Sequence, residues 1–194
     1  MDILMENTEN RSYDRGLEPA VFGLWLGIGS IAMMFAAFTS AYIVRQGQGN
    51  WLEFRLPEWF FISTLIILLS SLTIHLSYKH FLNGNTRQYK QLYLITFILG
   101  LGFVVTQYLG WTAMHQGGVE LTGNPSGSFV YVISGVHALH VLGGLAALAV
   151  GVLQLFVLPH VVSRKRKTRF KMMVQYWHFV DILWIYLVLF FMFQ

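Results

Sequence analysis

The sequence predicts an all-α membrane protein, a polytopic bundle of five transmembrane helices. Of its 194 residues, 55% are hydrophobic and only 11% are charged, whereas soluble domains carry about 25% charged residues. The apolar residues fall in five long runs, each able to cross about 30 Å of hydrocarbon at about 1.5 Å per helical residue. None of the runs alternates apolar with polar residues, as the strands of a membrane β-barrel would.

The predicted spans, in chain order, lie near 20–44, 59–78, 92–114, 129–158 and 172–193. Pro19 and Pro57 stand just before the first two spans, and proline is tolerated at the beginning of a helix. Segment 115–128, HQGGVELTGNPSGS, is rich in Gly, Asn, Ser and Pro, so it separates the third span from the fourth.

Residues 1–19 are predicted to form a cytoplasmic N-terminal arm, and residues 20–194 to form the five-helix domain. The arm is polar and acidic, without a basic run followed by a short apolar core. It therefore does not have the pattern of a cleaved signal peptide, and we expect it to be mobile or to lie on the membrane surface.

The basic residues predict the orientation in the membrane. Eleven of the thirteen Lys and Arg residues lie in the arm, between spans two and three, or in segment 163–171, SRKRKTRFK. Only Arg45 and Arg55 lie on the other side. Because Lys and Arg collect on the cytoplasmic side, the N-terminus is predicted to be cytoplasmic and the C-terminus periplasmic. Segment 163–171 is either a topology signal alone or, in addition, a patch for anionic lipid headgroups.

The absence of cysteine excludes several redox sites. Disulfides, thiolate-bound iron–sulfur clusters, the Cys-x-x-Cys-His attachment of c-type haem and a thiolate-bridged copper centre all require cysteine. The net charge of +4 does not indicate nucleic acid, because the basic residues flank membrane spans.

Small residues predict where helices pack, since lipid gives helices no hydrophobic reason to associate. Span one carries Gly23 and Gly27 in a small-xxx-small step. Span four places on one face His137, His140, Gly144, Ala147 and Gly151. This polar and small face is expected to pack closely on a neighbouring helix.

The last span contains a carboxylate near the membrane midplane. In YWHFVDILW, residues 176–184, Asp181 lies about 15 Å deep, where a charged group is costly. The intramembrane polar residues able to meet between spans four and five are His137, His140, Trp177, His178 and Asp181. They predict either a hydrogen-bonded network that fixes packing or a proton relay, and packing is favoured because Asp181 has no partner carboxylate.

Intramembrane histidines are also the usual ligands of haem in helical bundles. A bis-histidine haem needs ligands that face each other from different helices, and three histidines with one carboxylate do not by themselves require a metal. The sequence therefore favours structural histidines, with no catalytic, cofactor-binding or metal-ligating residue in this chain.

Two motifs carry a resemblance to a known family. SGVHALHVLGG, residues 134–144, and QYWHFVDILWIYL, residues 175–187, resemble the last two helices of subunit III of haem–copper respiratory oxidases. Gln107 and the aromatic end of span three match that family less specifically, and the likeness covers about residues 20–193. Five spans are typical of the short bacterial form, which lacks two N-terminal helices of the seven-helix form.

The resemblance implies an accessory, non-catalytic subunit of a cytochrome c or quinol oxidase in a bacterial inner membrane. Haem and copper then belong to partner subunits. This chain is expected to pack on subunit I, to bind phospholipids, to support stability and proton uptake, and to help oxygen reach the core. Other oxidase subunits, and a larger respiratory supercomplex, are further expected partners. One departure is Ile31, which stands where the family often has a buried carboxylate.

Two other functions remain open on the residues alone. Intramembrane histidines are also compatible with a b-type cytochrome or a quinone-binding membrane anchor. A small transporter or proton channel built around Asp181 is the other alternative.

Overall fold

The computed structural model describes residues 2–157 and 163–194, with side chains described from residue 19 onward except at 156. The helices are α1 Asp2–Gln46, α2 Glu58–Leu82, α3 Thr86–Gln116, α4 Pro125–Val157 and α5 Arg164–Phe193. Each contains a stretch long and apolar enough to cross a membrane. The predicted bundle of five membrane-length helices is thereby confirmed.

The helices are longer than the apolar runs that predicted them. α5 begins at Arg164, eight residues before the predicted span, and the Ser163 hydroxyl caps it by accepting the backbone N–H of Arg166 at 3.3 Å. A helix satisfies its own backbone polar groups, so it continues beyond the hydrocarbon with no change in hydrogen bonding. Hydropathy detects only the part that is buried in lipid.

α1 also extends beyond its predicted span. The helix begins at Asp2, whereas its membrane-length stretch is Pro19–Gln46. The backbone of the predicted arm is therefore helical and continuous with the first span. Its cytoplasmic position remains a prediction from the charge pattern.

α5 lies at the centre of the bundle. It packs against α1, α2 and α4, while α3 packs against α2 and α4. Within the described residues, α1 touches only α4 and α5 and makes no contact with α2, its neighbour in sequence. Accordingly 44% of the most apolar stretch of α5 is buried within the chain, against 11% of that of α1.

The loop between α1 and α2 is tied to the beginning of α4. The Asn124 side chain accepts the backbone N–H of Leu52 at 3.2 Å and donates to the carbonyl of Asn50 at 3.1 Å. The Ser126 hydroxyl donates to the Leu52 carbonyl at 2.8 Å. These bonds fix the end of the bundle opposite the basic segments.

Candidate functional site: the polar core of the bundle

Trp177 of α5 joins four helices through one fully buried indole. Its Nε1 donates to the Ser70 hydroxyl of α2 at 3.0 Å. A Cβ built at Gly100 of α3 would lie 3.0 Å from the indole, and one at Gly144 of α4 would also lie 3.0 Å from it. The ring therefore occupies space that exists only because α3 and α4 each present a glycine.

His178 and Trp177 both bind serines of α2. The Nδ1 atom of His178 is 2.6 Å from the Ser71 hydroxyl, and its ring centroid lies 5.8 Å from that of His75. His178 is partly buried and His75 is exposed, so this group reaches the outer surface of the α2–α5 pair.

Asp181 of α5 is 2% exposed and lies beside Ser71 of α2. Neither of its carboxyl oxygens makes a hydrogen bond of ordinary geometry with a described residue. A buried polar group without a partner is costly in a low-dielectric interior. The burial of Asp181 therefore has a free-energy cost that no hydrogen bond of ordinary geometry with a described residue offsets.

His137 of α4 lies fully buried among aromatic rings. Its imidazole stacks on Trp184 at 5.0 Å between centroids and meets the edges of Phe35 and Phe103 at 6.2 and 5.8 Å. Neither ring nitrogen has a hydrogen-bond partner among the described residues. His137 thus packs as an aromatic side chain that joins α1, α3, α4 and α5.

His140 has a different environment one turn along α4. Its Nδ1 is 2.7 Å from the carbonyl of Val136 in its own helix. Its ring meets Phe35 of α1 at 5.8 Å, and its backbone carbonyl accepts the Tyr176 hydroxyl of α5 at 3.0 Å. His140 therefore contributes to the contact of α4 with both neighbours.

The predicted polar residues thus form two groups. Trp177, His178 and Asp181 point to α2, whereas His137 and His140 lie among the aromatic rings near α1. No hydrogen bond joins the two groups within the described residues. The sequence predicted that all five residues could meet in one hydrogen-bonded network between spans four and five. In the structure the hydroxyl partners of Trp177 and His178 are supplied by α2 and not by α4.

Sequence reasoning overlooked the polar face of α2. Ser63, Ser70 and Ser77 recur every seven residues and are fully buried. Ser63 accepts the Gln107 amide at 2.8 Å, and Ser77 donates to the Tyr89 carbonyl at 3.0 Å. A heptad of small polar residues is a readable signal of close helix packing in lipid.

The predicted packing glycines divide into two pairs. A Cβ at Gly144 would press on Tyr176 and Trp177, and one at Gly151 would overlap the Tyr93 hydroxyl. Gly23 and Gly27 of α1 are exposed, and no described atom lies within 4 Å of a Cβ built there. Packing through Gly23 and Gly27 is therefore absent from the described part of this chain, because α1 turns them away from α4 and α5.

The polar and aromatic side chains of this core make hydrogen bonds and ring contacts between helices. Hydroxyl, indole and imidazole groups connect helices across short distances, and glycines let the largest ring approach. Among residues 2–157 and 163–194, no three His, Cys, Asp or Glu side chains gather into a group able to hold a metal ion.

Comparisons with known proteins agree on one family. Residues 53–194, which include all of α2 to α5, match the family model described as Cytochrome c oxidase subunit III. A probable cytochrome c oxidase subunit 3 of Mycobacterium tuberculosis is 32% identical over 172 residues, covering 84% of this chain and 80% of the relative. A cytochrome bo(3) ubiquinol oxidase subunit 3 of Pseudomonas putida is 30% identical over 181 residues, covering 89% and 84%. The cytochrome c oxidase subunit 3 of Thermostichus vulcanus is 30% identical over 174 residues, covering 86% and 83%.

Proposed function

This chain belongs to the cytochrome c oxidase subunit III family, in its five-helix form, and we propose from this premise that it is the accessory, non-redox subunit of its oxidase. It is a multi-pass membrane subunit of a haem–copper terminal oxidase in respiration. The single observation that carries the proposal is the family match across α2 to α5, the helices that hold most of the polar core.

The proposed work of this subunit is to support its catalytic partner. It packs on subunit I, binds phospholipid, sustains proton uptake and stability during turnover, and helps oxygen reach the core through lipid. The apolar surface suits a bundle that lies between lipid and a protein neighbour: Trp25, Leu26 and Met33 of α1 are all more than half exposed.

The proposed role of His137, His140, Trp177, His178 and Asp181 is structural. The contacts that support it are the Trp177–Ser70 and His178–Ser71 bonds and the stacking of His137 on Trp184. Each joins α5 to another helix, which is α2 for the two hydrogen bonds and α4 for the stacking. The side chains hold the shape of the surface that the catalytic subunit meets.

The proposed orientation places the N-terminus in the cytoplasm and the C-terminus in the periplasm. It is supported by the concentration of basic residues at one end, where α2 ends and α3 and α5 begin. Few Lys or Arg residues lie at the opposite end.

Deletion of the gene tests the supporting role. We expect membranes without this chain to keep the haem spectrum of the catalytic core but to lose oxygen-consuming activity faster during turnover. Complementation with the wild-type gene is the control. Oxidase activity that persists equally long without the chain would contradict the supporting role.

A further inference from the structure

His75 of α2 is an ionisable side chain that faces out of the bundle at membrane depth. It lies about two helical turns, or about 10 Å, before the end of α2 at Leu82. The other His and Asp side chains of the predicted spans, at 137, 140, 178 and 181, are buried or half-buried, whereas His75 is exposed. Within the described residues its imidazole makes no hydrogen bond, and its ring centroid lies 5.8 Å from that of His178.

His75 belongs to a mixed polar and apolar surface, the α2–α5 face, formed by Leu68, Ser71 and His75 of α2 with His178 and Ile182 of α5. Residues three or four apart share one side of a helix, and the 2.6 Å contact between the Ser71 hydroxyl and Nδ1 of His178 joins the two sides. Leu68 and Ile182 are 45% and 65% exposed. Within the described residues α1 does not contact α2, so no described helix covers this face.

A protein neighbour suits the α2–α5 face better than lipid does. An imidazole carries at least one N–H donor in either protonation state, and hydrocarbon offers no acceptor, so surrounding it with lipid alone has a free-energy cost. Histidines inside membrane spans accordingly face protein or a water-filled cavity. A neighbouring transmembrane helix supplies both an acceptor for His75 and apolar side chains to pack on Leu68 and Ile182.

We propose that the α2–α5 face contacts a transmembrane helix of the catalytic subunit, and that a side-chain oxygen of that helix accepts a hydrogen bond from His75. The proposal rests on the proposed function, in which this chain packs on subunit I, and it assigns the surface and a residue that determines the contact. The Ser71–His178 bond holds the ring that lies beside His75, so the polar core supports the contact from inside the bundle.

Photocrosslinking of the assembled oxidase in its native membrane tests the surface. The photoreactive residue p-benzoylphenylalanine replaces Leu68 in one variant and Leu101 of α3 in the matched control, and both leucines are 45% exposed. The two positions lie at one level of the membrane, because the hydrogen bonds that Ser63 and Ser70 make with α3 lie on either side of them. We expect an adduct with the catalytic subunit from position 68 and little or none from position 101.

Equal adducts from the two positions would overturn the proposal, and so would adducts from position 68 with lipid or with a second copy of this chain instead of the catalytic subunit. If the Leu68 variant fails to assemble, Ile182 takes the same photoreactive residue, since it is exposed on the same face. An oxidase that copurifies with this chain but crosslinks through another face would overturn the proposal and leave the proposed function standing. A chain recovered without any oxidase would contradict both.

Two substitutions of His75 test the hydrogen bond, because His75→Leu removes the donor and His75→Gln keeps an N–H donor. We expect His75→Leu to bind the catalytic core about threefold more weakly in a detergent titration, the effect of an average hydrogen bond in a membrane, and His75→Gln to stay close to wild type. Unfolding of the isolated chain by SDS should be the same in both variants, since His75 is exposed and makes no hydrogen bond with a described residue. Retention of His75→Leu on the core equal to that of wild type would overturn the hydrogen bond.

Discussion

At the scale of single residues, Trp177 shows how this chain solves packing in lipid. Its indole is fully buried, hydrogen-bonded to Ser70, and flanked by Gly100 and Gly144. Because lipid tails are as apolar as the side chains, close contact and hydrogen bonds supply what the hydrophobic effect supplies in water. The Trp177 ring makes close contacts with the two glycines and a hydrogen bond with Ser70.

Gly144→Ala is expected to destabilise the chain, although alanine is the better helix former by about 1 kcal/mol. The new methyl group would stand 3.0 Å from the fully buried Trp177 ring, so we expect a net loss of about 1–2 kcal/mol from overpacking. Unfolding in mixed micelles by titration with SDS measures it. The matched control is the adjacent Gly143→Ala, whose nearest contact is 3.9 Å, and equal stability of the two variants would contradict the account.

Asp181→Asn separates a structural carboxyl from a proton relay. Because neither carboxyl oxygen makes a hydrogen bond of ordinary geometry with a described residue, we expect assembly to weaken by at most about 0.6 kcal/mol, the average for such bonds in membranes. Turnover and proton pumping of the oxidase in liposomes should stay close to wild type. Loss of pumping with assembly intact would show that Asp181 carries protons.

Residue patterns predicted part of this site. Gly144 and Gly151, seven residues apart, lie against side chains of α5 and α3, whereas Gly23 and Gly27, four residues apart, have no described atom within 4 Å of a Cβ built there. Spacing places residues on one face of a helix but does not say which way that face turns. The serine partners on α2 needed knowledge of which helices are neighbours, and sequence order does not provide it.

At the scale of helices, α1 is the element held least firmly. It meets only α4 and α5 within the described residues, through Phe35 among the His137 and His140 rings and through the Thr39–Tyr186 hydroxyl pair at 3.0 Å. Hydropathy predicted all five helices because each must be apolar to span lipid. It did not predict this layout, because the hydropathy of a span does not say which other helices it packs against.

Phe35→Ala is expected to loosen α1 from the bundle. Phe35 is 1% exposed and packs on both histidines of α4. The loss should be smaller than the about 3–5 kcal/mol of water-soluble cores, since the cavity costs packing but no transfer from water. SDS titration of the isolated chain measures it.

Met33→Ala is the control for Phe35→Ala, because Met33 on the same helix is 76% exposed. We expect it to leave the isolated chain unchanged. Equal destabilisation by the two variants would show that α1 does not pack through Phe35.

At the scale of the whole molecule, the two ends of the bundle differ in charge and in the way they are held. The basic residues gather at one end of the bundle, and the asparagine-anchored loop closes the other. The polar core lies between these ends. The packing determines the shape of the bundle, and the uneven distribution of charge is the basis of the proposed orientation.

Reporter fusions test the orientation. Alkaline phosphatase fused after residue 194 should be active, and the same enzyme fused in the turn at 83–85 should be inactive, because only the periplasm permits its folding. Green fluorescent protein at the same two sites should give the reverse pattern. Activity of the phosphatase at 83–85 would contradict the proposed orientation.

Purification of the tagged chain from respiring cells in mild detergent tests the central claim most directly. We expect a haem–copper core to copurify, with haem in proportion to the catalytic subunit, and a colourless chain once that core is removed. The pyridine haemochrome spectrum quantifies haem in each fraction. A chain that is free of other oxidase subunits and carries its own haem, with the haem lost in His137→Ala or His140→Ala, would contradict the account.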